Sequence, residues 1–261
     1  LLGKAPFAAL LGKHKDPSHS KLFARFTHRI EVNAFIMGSY HLIALAIAPG
    51  LAIAIYIYWK DKWDKEPLHW LLFAFLLGVL SVVPTLILSL LAQALGSAPQ
   101  SENLWISFLS CVFGIGLIEE FCKFIFVRWF IFPKKVFNEP FDGITYCVMS
   151  AMGFATLENI MYVTEHGVAT GIMRAFLSVP AHATWGILIG FALGLKKSKP
   201  TYPIVIPALL LASVLHGLFD FFLFHGWGML TFIGAVGTFV LSLYLSKKAI
   251  RLHQSASPFS P

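Results

Sequence analysis

Glu119, Glu120 and Lys123 fall inside GIGLIEEFCKFIFVR at residues 114–128, a stretch otherwise apolar enough to cross a membrane. A charge at the centre of a membrane helix costs roughly 2.5–3.5 kcal/mol, whereas a leucine there returns only about 0.3–0.6 kcal/mol. Ionisable groups packed this closely in hydrocarbon therefore need a use. Later apolar runs carry more of them: Glu158 followed by Asn159 and Tyr162, then His182, then His216 with Asp220. Glu119 and Lys123, Glu158 and Tyr162, and His216 and Asp220 are each spaced i, i+4, so each pair shares a helix face. In lipid such faces turn to the bundle interior or to a wet cavity, and on consecutive spans they can converge on one place.

The chemistry available there is definite. Adjacent carboxylates suit general base and general acid work on one water molecule. His182 and His216 are placed to act as acid and oxyanion partners. Asp220, one turn from His216, can hold its tautomer. Glu158 and Asp220 would position those groups, Asn159 offers an amide donor, and Lys123 balances charge. The set Glu119, Glu120, His182 and His216 predicts activation of water for attack on an amide carbonyl. A lone Glu–Lys pair would read equally well as an interhelical salt bridge, and a lone membrane His as a helix–helix hydrogen bond. It is the coincidence of so many costly groups that argues for catalysis.

The chain around these residues is a membrane protein by composition. Of 261 residues 57% are hydrophobic and 13% charged, against about 45–50% and about 25% for a soluble domain. The net charge of +7 reads as loop composition. With no P-loop, dinucleotide fingerprint or RNA-binding aromatic pattern, no nucleic-acid partner is expected. Cys111, Cys122 and Cys147 lie in apolar runs without metal-ligand spacing and read as buried apolar residues.

Seven apolar runs, at about 41–59, 68–92, 104–131, 142–163, 172–194, 203–225 and 227–246, are long enough or nearly so to cross a bilayer. The expected fold is an all-α polytopic bundle of about seven spans. Pro49-Gly50 is expected to interrupt the first run, and Pro84 and Pro180 to kink the second and fifth. Tyr58, Trp59, Trp63 and Trp70 form an interfacial belt. Arg128 and Arg174 fall near span ends, where long side chains snorkel. His41, His69, His166 and His225 also lie at span ends and read as interfacial. Gly186, Gly190 and Gly194 repeat every four residues, a signal for close helix approach.

Residues 1–40 are a basic extension, interfacial or flexible, with no signal-peptide core in 1–30; residues 41–246 are the membrane domain, and 247–261 a basic tail. Loops 60–67 and 195–202 and the tail each carry three Lys or Arg and loop 132–141 carries two, whereas loops 93–103, 164–171 and 225–228 carry none. This alternation places the basic loops and the C-terminus in the cytoplasm. Seven crossings then place the basic N-terminus outside, against the same rule.

Several stretches resemble one family: APGLAIAIYIYWKDKWDKEP at 48–67, EEFCK at 119–123, FDGITY at 141–146, FATLENIMY at 154–162, PAHATWG at 180–186 and HGLFD at 216–220. In this order they resemble the PrsW family of intramembrane proteases, itself similar to CAAX prenyl endopeptidases and bacterial Abi proteins. The resemblance covers roughly residues 41–246. It implies a glutamate-dependent endopeptidase acting on a membrane-associated protein or peptide in a bacterial-type cytoplasmic membrane. By family pattern the paired glutamates map onto Glu119 and Glu120, the histidines onto His182 and His216, and the last position of HxxxN/D onto Asp220. Where the wider superfamily has FxxxH, this chain has Phe154 to Glu158, so either Glu158 or His182 answers to that histidine. The family is implicated in cleavage of a membrane-anchored anti-sigma factor. The favoured mechanism needs no cofactor. A zinc ion, if used, would draw on His182, His216, Glu120 and Glu158. Two readings from other classes use the same residues: a proton-coupled or metal-ion transporter, and an inactive membrane scaffold.

Overall fold

A computed structural model describes residues 40–259. The basic extension, apart from Tyr40, lies outside the described residues. The described chain is all helix: α1 (Tyr40–Lys60), α2 (Leu68–Ala94), α3 (Leu104–Leu109), a π-helical stretch (Ser110–Gly116), α4 (Leu117–Phe130), α5 (Pro140–Phe176), α6 (Ser178–Ser198), α7 (Val205–His225) and α8 (Met229–Ser255). Among the described residues six helical stretches are long and apolar enough to cross a membrane, one of them the 59-residue Pro140–Ser198, which comprises α5 and α6.

That long stretch folds back on itself and makes two passes. Gly143 sits against Gly190 and Gly194, and Gly186 against Cys147 and Ala151, so residue numbers rise along α5 as they fall along α6. A Cβ at Gly143 or Gly190 would collide with the facing backbone, which is the close approach the Gly spacing predicts. Counted this way the bundle has seven passes, as the apolar runs predict. α5 and α6 are its centre: 78% of their apolar window is buried, against 22% for α1 and for α8.

The three prolines have different outcomes. α1 is continuous through Pro49-Gly50; Gly50 packs on Met152 and Thr156 of α5, and Ala46, Ala54 and Ile57 bury the same stripe. α2 runs through Pro84, with Ser81 and Thr85 hydroxyls donating to the carbonyls of Gly78 and Ser81. The fifth run is interrupted as expected: its helix breaks at Leu177, between α5 and α6, beside the Phe176 carbonyl to which Pro180 has no N–H to donate.

The basic segments gather at one end of the bundle. Asn138 Nδ2 donates to Asp64 (2.9 Å), Lys197 Nζ to the Phe132 carbonyl (3.0 Å), and Gln254 Nε2 to the Lys60 carbonyl (2.6 Å). Ser257 donates to Glu139, and Tyr146 to Glu66. Loops 60–67, 132–141 and 195–202 and the chain's C-terminal end are thus cross-braced.

Candidate functional site

Four helices deliver the polar residues to one buried place. Ahead of the glutamates the chain is wound wide: the π-helical stretch Ser110–Gly116 leads directly into α4. Gly116 lies against the backbone of Ser213 and Gly217 on α7, and Gly217 against Cys111 and Val112. Only side chains this small let the two backbones approach, and the contact brings Glu119 and Glu120 of α4 opposite His216 of α7. Wide turns of this kind are frequent at functional sites.

The contacts form a chain. Lys123 Nζ lies 2.6 Å from Glu120 Oε1, 3.9 Å from Glu119 Oε2 and 3.2 Å from His182 Nδ1. His216 Nδ1 lies 2.9 Å from the same Glu120 oxygen, and His216 Nε2 lies 3.4 Å from Asp220 Oδ2 and 3.8 Å from Glu119 Oε2. His182 Nε2 lies 3.0 Å from Glu158 Oε2, which also accepts from Arg174 Nη2 at 2.6 Å. Glu119, Glu120, Lys123, His182 and His216 are all buried. A buried charge is tolerable only when paired and hydrogen-bonded, and this network supplies those partners with one exception. Glu119 Oε2 is shut off from solvent and has no hydrogen-bond partner.

The sequence-predicted set therefore converges, with adjustments. Asn159 turns away from the centre: its Nδ2 donates to the Ala46 carbonyl of α1 (2.9 Å) and its Oδ1 accepts from Arg174 Nε (3.0 Å). Arg174 does not snorkel; it is turned inward onto Glu158 and lies 4.1 Å over the Tyr162 ring. Trp185 is a second residue that sequence reasoning missed. Its indole stacks on the His216 ring at 3.9 Å and 14°, and meets His182 edge-on at 5.2 Å. The signal was present, since Trp185 follows His182 by three residues on one helix face.

The donor set also fits a metal ion. One ligand atom each from Glu119, His182 and His216 falls within 4.8 Å of the others, and the Glu119 oxygen that accepts no hydrogen bond is one that a cation would satisfy. Two imidazoles and a carboxylate are a zinc-type set. This group shares His182 and His216 with the set expected from sequence and has Glu119 where that set had Glu120 and Glu158.

Comparison with known proteins agrees with this geometry. The family model described as PrsW family intramembrane metalloprotease matches residues 66–245. A Protease PrsW of Geobacillus kaustophilus is 38% identical, covering 78% of this chain and 88% of that protein. Those of Bacillus subtilis (37% identical; 70% and 82%) and Clostridioides difficile (35%; 74% and 84%) are similar over nearly as much. No solved structure matches. A multi-pass helical bundle, a buried Glu–His–His group and a match over most of its length agree: the chain belongs to the PrsW family of intramembrane metalloproteases.

Proposed function

We propose that this protein hydrolyses a peptide bond of a membrane-associated protein at the Glu119–Glu120–His182–His216 site, with Glu119 as the group that faces the reacting water. The observation that carries the assignment is the buried Glu119 Oε2, which lies near Lys123 and His216 but accepts no hydrogen bond. Glu120 is held by Lys123 and His216, so its work is to orient His216 and to keep Lys123 in place. Glu119 takes the proton as water attacks the scissile carbonyl, a contribution worth roughly 10²–10⁴-fold in rate. His216, backed by Glu120 and Asp220, donates to the oxyanion or the leaving amine. His182, backed by Glu158, lines the opposite wall. A zinc-type ion, where bound, would be held by Glu119, His182 and His216 in place of those proton-transfer roles and would supply Lewis acidity and lower the pKa of water.

The basic end of the bundle faces the cytoplasm in this proposal; the grouping of the Lys- and Arg-rich loops at one end supports it. The finer substrate reading, an anti-sigma-factor-like membrane protein, rests on the family resemblance.

Purified protein in lipid nanodiscs with a fluorogenic transmembrane peptide tests the chemistry. Glu119→Gln is expected to lower kcat by roughly 100-fold or more with the protein still folded. Retained cleavage in that variant would remove Glu119 from the reaction. For the substrate, membrane peptides that accumulate uncut when Glu120 is changed to Gln, read by mass spectrometry, should include a single-pass anti-sigma-type protein.

A further inference from the structure

Arg174 sits where a straight helix could not put it. It is 15 residues from Asn159 and 16 from Glu158, which is about 22–24 Å of helical rise, yet its guanidinium is hydrogen-bonded to both. The reversal occurs at Gly167, the only non-helical residue inside α5, with φ 80° and ψ −166°. That backbone conformation is open to glycine and strained for other residues. The returning segment packs back onto its own helix and onto α1, where Gly171 fits against Val163 and Leu45. The fold thus spends a reversal on delivering one guanidinium to one carboxylate.

What that carboxylate does follows from hydrogen-bond direction. A protonated lysine can only donate, so Lys123 Nζ at 3.2 Å requires His182 Nδ1 to accept. The ring proton then lies on Nε2, which donates to Glu158 Oε2 at 3.0 Å. The same oxygen accepts from Arg174 at 2.6 Å. Tyr162 beneath the guanidinium and Asn159 at its Nε close off the other directions in which it could turn. Glu158 and Arg174 keep 14% and 12% side-chain exposure, so the pair stands at the edge of the site, not at its centre.

From this geometry we infer that Arg174 is a positioning residue for peptide hydrolysis: by holding Glu158, which accepts the Nε2–H that Lys123 leaves on the ring, it fixes the orientation of His182. The inference rests on the hydrolytic reading of the site. It assigns the Gly167 reversal a purpose, and it leaves Nδ1 to accept from Lys123.

The test is ¹⁵N NMR of histidine-labelled protein in nanodiscs, with His182→Gln identifying the His182 signals, alongside cleavage of the fluorogenic peptide. Wild type is expected to show one His182 tautomer, protonated at Nε2. Arg174→Met should broaden or split the His182 Nε2–H signal as its acceptor loosens and lower kcat by roughly 10- to 100-fold, the range for losing a hydrogen bond to a charged group, with KM within about twofold. Arg174→Lys should recover part of both, and adding Glu158→Gln to Arg174→Met should cost little more. Should Arg174→Met fail to fold, Arg174→Lys and Glu158→Gln carry the same two readouts. Lost activity with an unchanged His182 signature, or an unchanged enzyme, would overturn the inference. Absence of cleavage in wild type would count against the hydrolytic reading alone, because the tautomer readout does not depend on turnover.

Discussion

Trp185 shows how much of the site depends on a side chain with no reactive group. Its face-to-face contact fixes the plane of His216, whose two nitrogens must meet Glu120 on one side and Asp220 on the other. Stacking of this kind is worth about 0.5–1.5 kcal/mol beyond area burial. Trp185→Phe should therefore lower kcat by up to roughly tenfold while leaving KM near wild type, measured on the same peptide; an unchanged kcat would mean that helix packing alone orients His216. At this scale the sequence was legible where charge is costly. Glu119, Glu120, Glu158, His182, His216 and Asp220 announce themselves because nothing else explains them in an apolar run. Arg174 and Trp185 did not, for a physical reason: an arginine near a span end and a tryptophan in a span both have ordinary explanations, and only tertiary contact distinguishes them.

Among the elements, the α5–α6 pair carries the most. Gly143, Gly190 and Gly194 let the two backbones touch, and that contact sets the position of His182 relative to Glu158. Gly190→Ala places a methyl group against the backbone of Gly143 and Ile144. Overpacking of this kind costs about 1–3 kcal/mol, so a lower unfolding midpoint and a proportionate loss of cleavage are expected; a midpoint equal to wild type would show that the helices can part without harm. The Gly spacing made this contact legible from sequence. The reversal at Gly167 was not, because a single glycine in a loop-like run gives no sign of where the chain goes next. Nor was the π-helical winding, since SCVFGIG is compatible with an ordinary helix.

Across the whole molecule, one end is locked by acids as much as by bases. Asp61, Glu66, Glu139 and Asp142 are buried there. Burial, reinforced by Glu139 and Asp142 and only partly offset by the Glu66 backbone amide, pushes the Asp61 pKa up to about 7. Burial likewise pushes Glu66 up to about 7. A carboxyl raised on folding binds a proton in the folded state that the unfolded chain has already lost. Its stabilising share is thus full below about pH 4 and falls as pH rises through 7. Asp61→Asn removes that penalty, so its gain in unfolding midpoint should be larger at pH 8 than at pH 5, as thermal scans in nanodiscs would show. Equal gains at both pH values would mean that Asp61 stays ionised in the folded protein. Composition and apolar run lengths foretold the seven-pass bundle and the grouping of basic loops. They could not foretell the buried acids, which look like solvated loop residues until the loops close over them.

The wide turn before α4 has one more implication. Each residue of an ordinary helix rotates the chain by about 100° and each residue of the wider turn by less, so substitutions that let 110–116 wind regularly at unchanged length would swing the acidic doublet toward a different neighbour. Such a change would leave length, helix content and every reactive group intact. The angular phase of one helix, and not the inventory of side chains, separates a working protease from an inert bundle of the same composition.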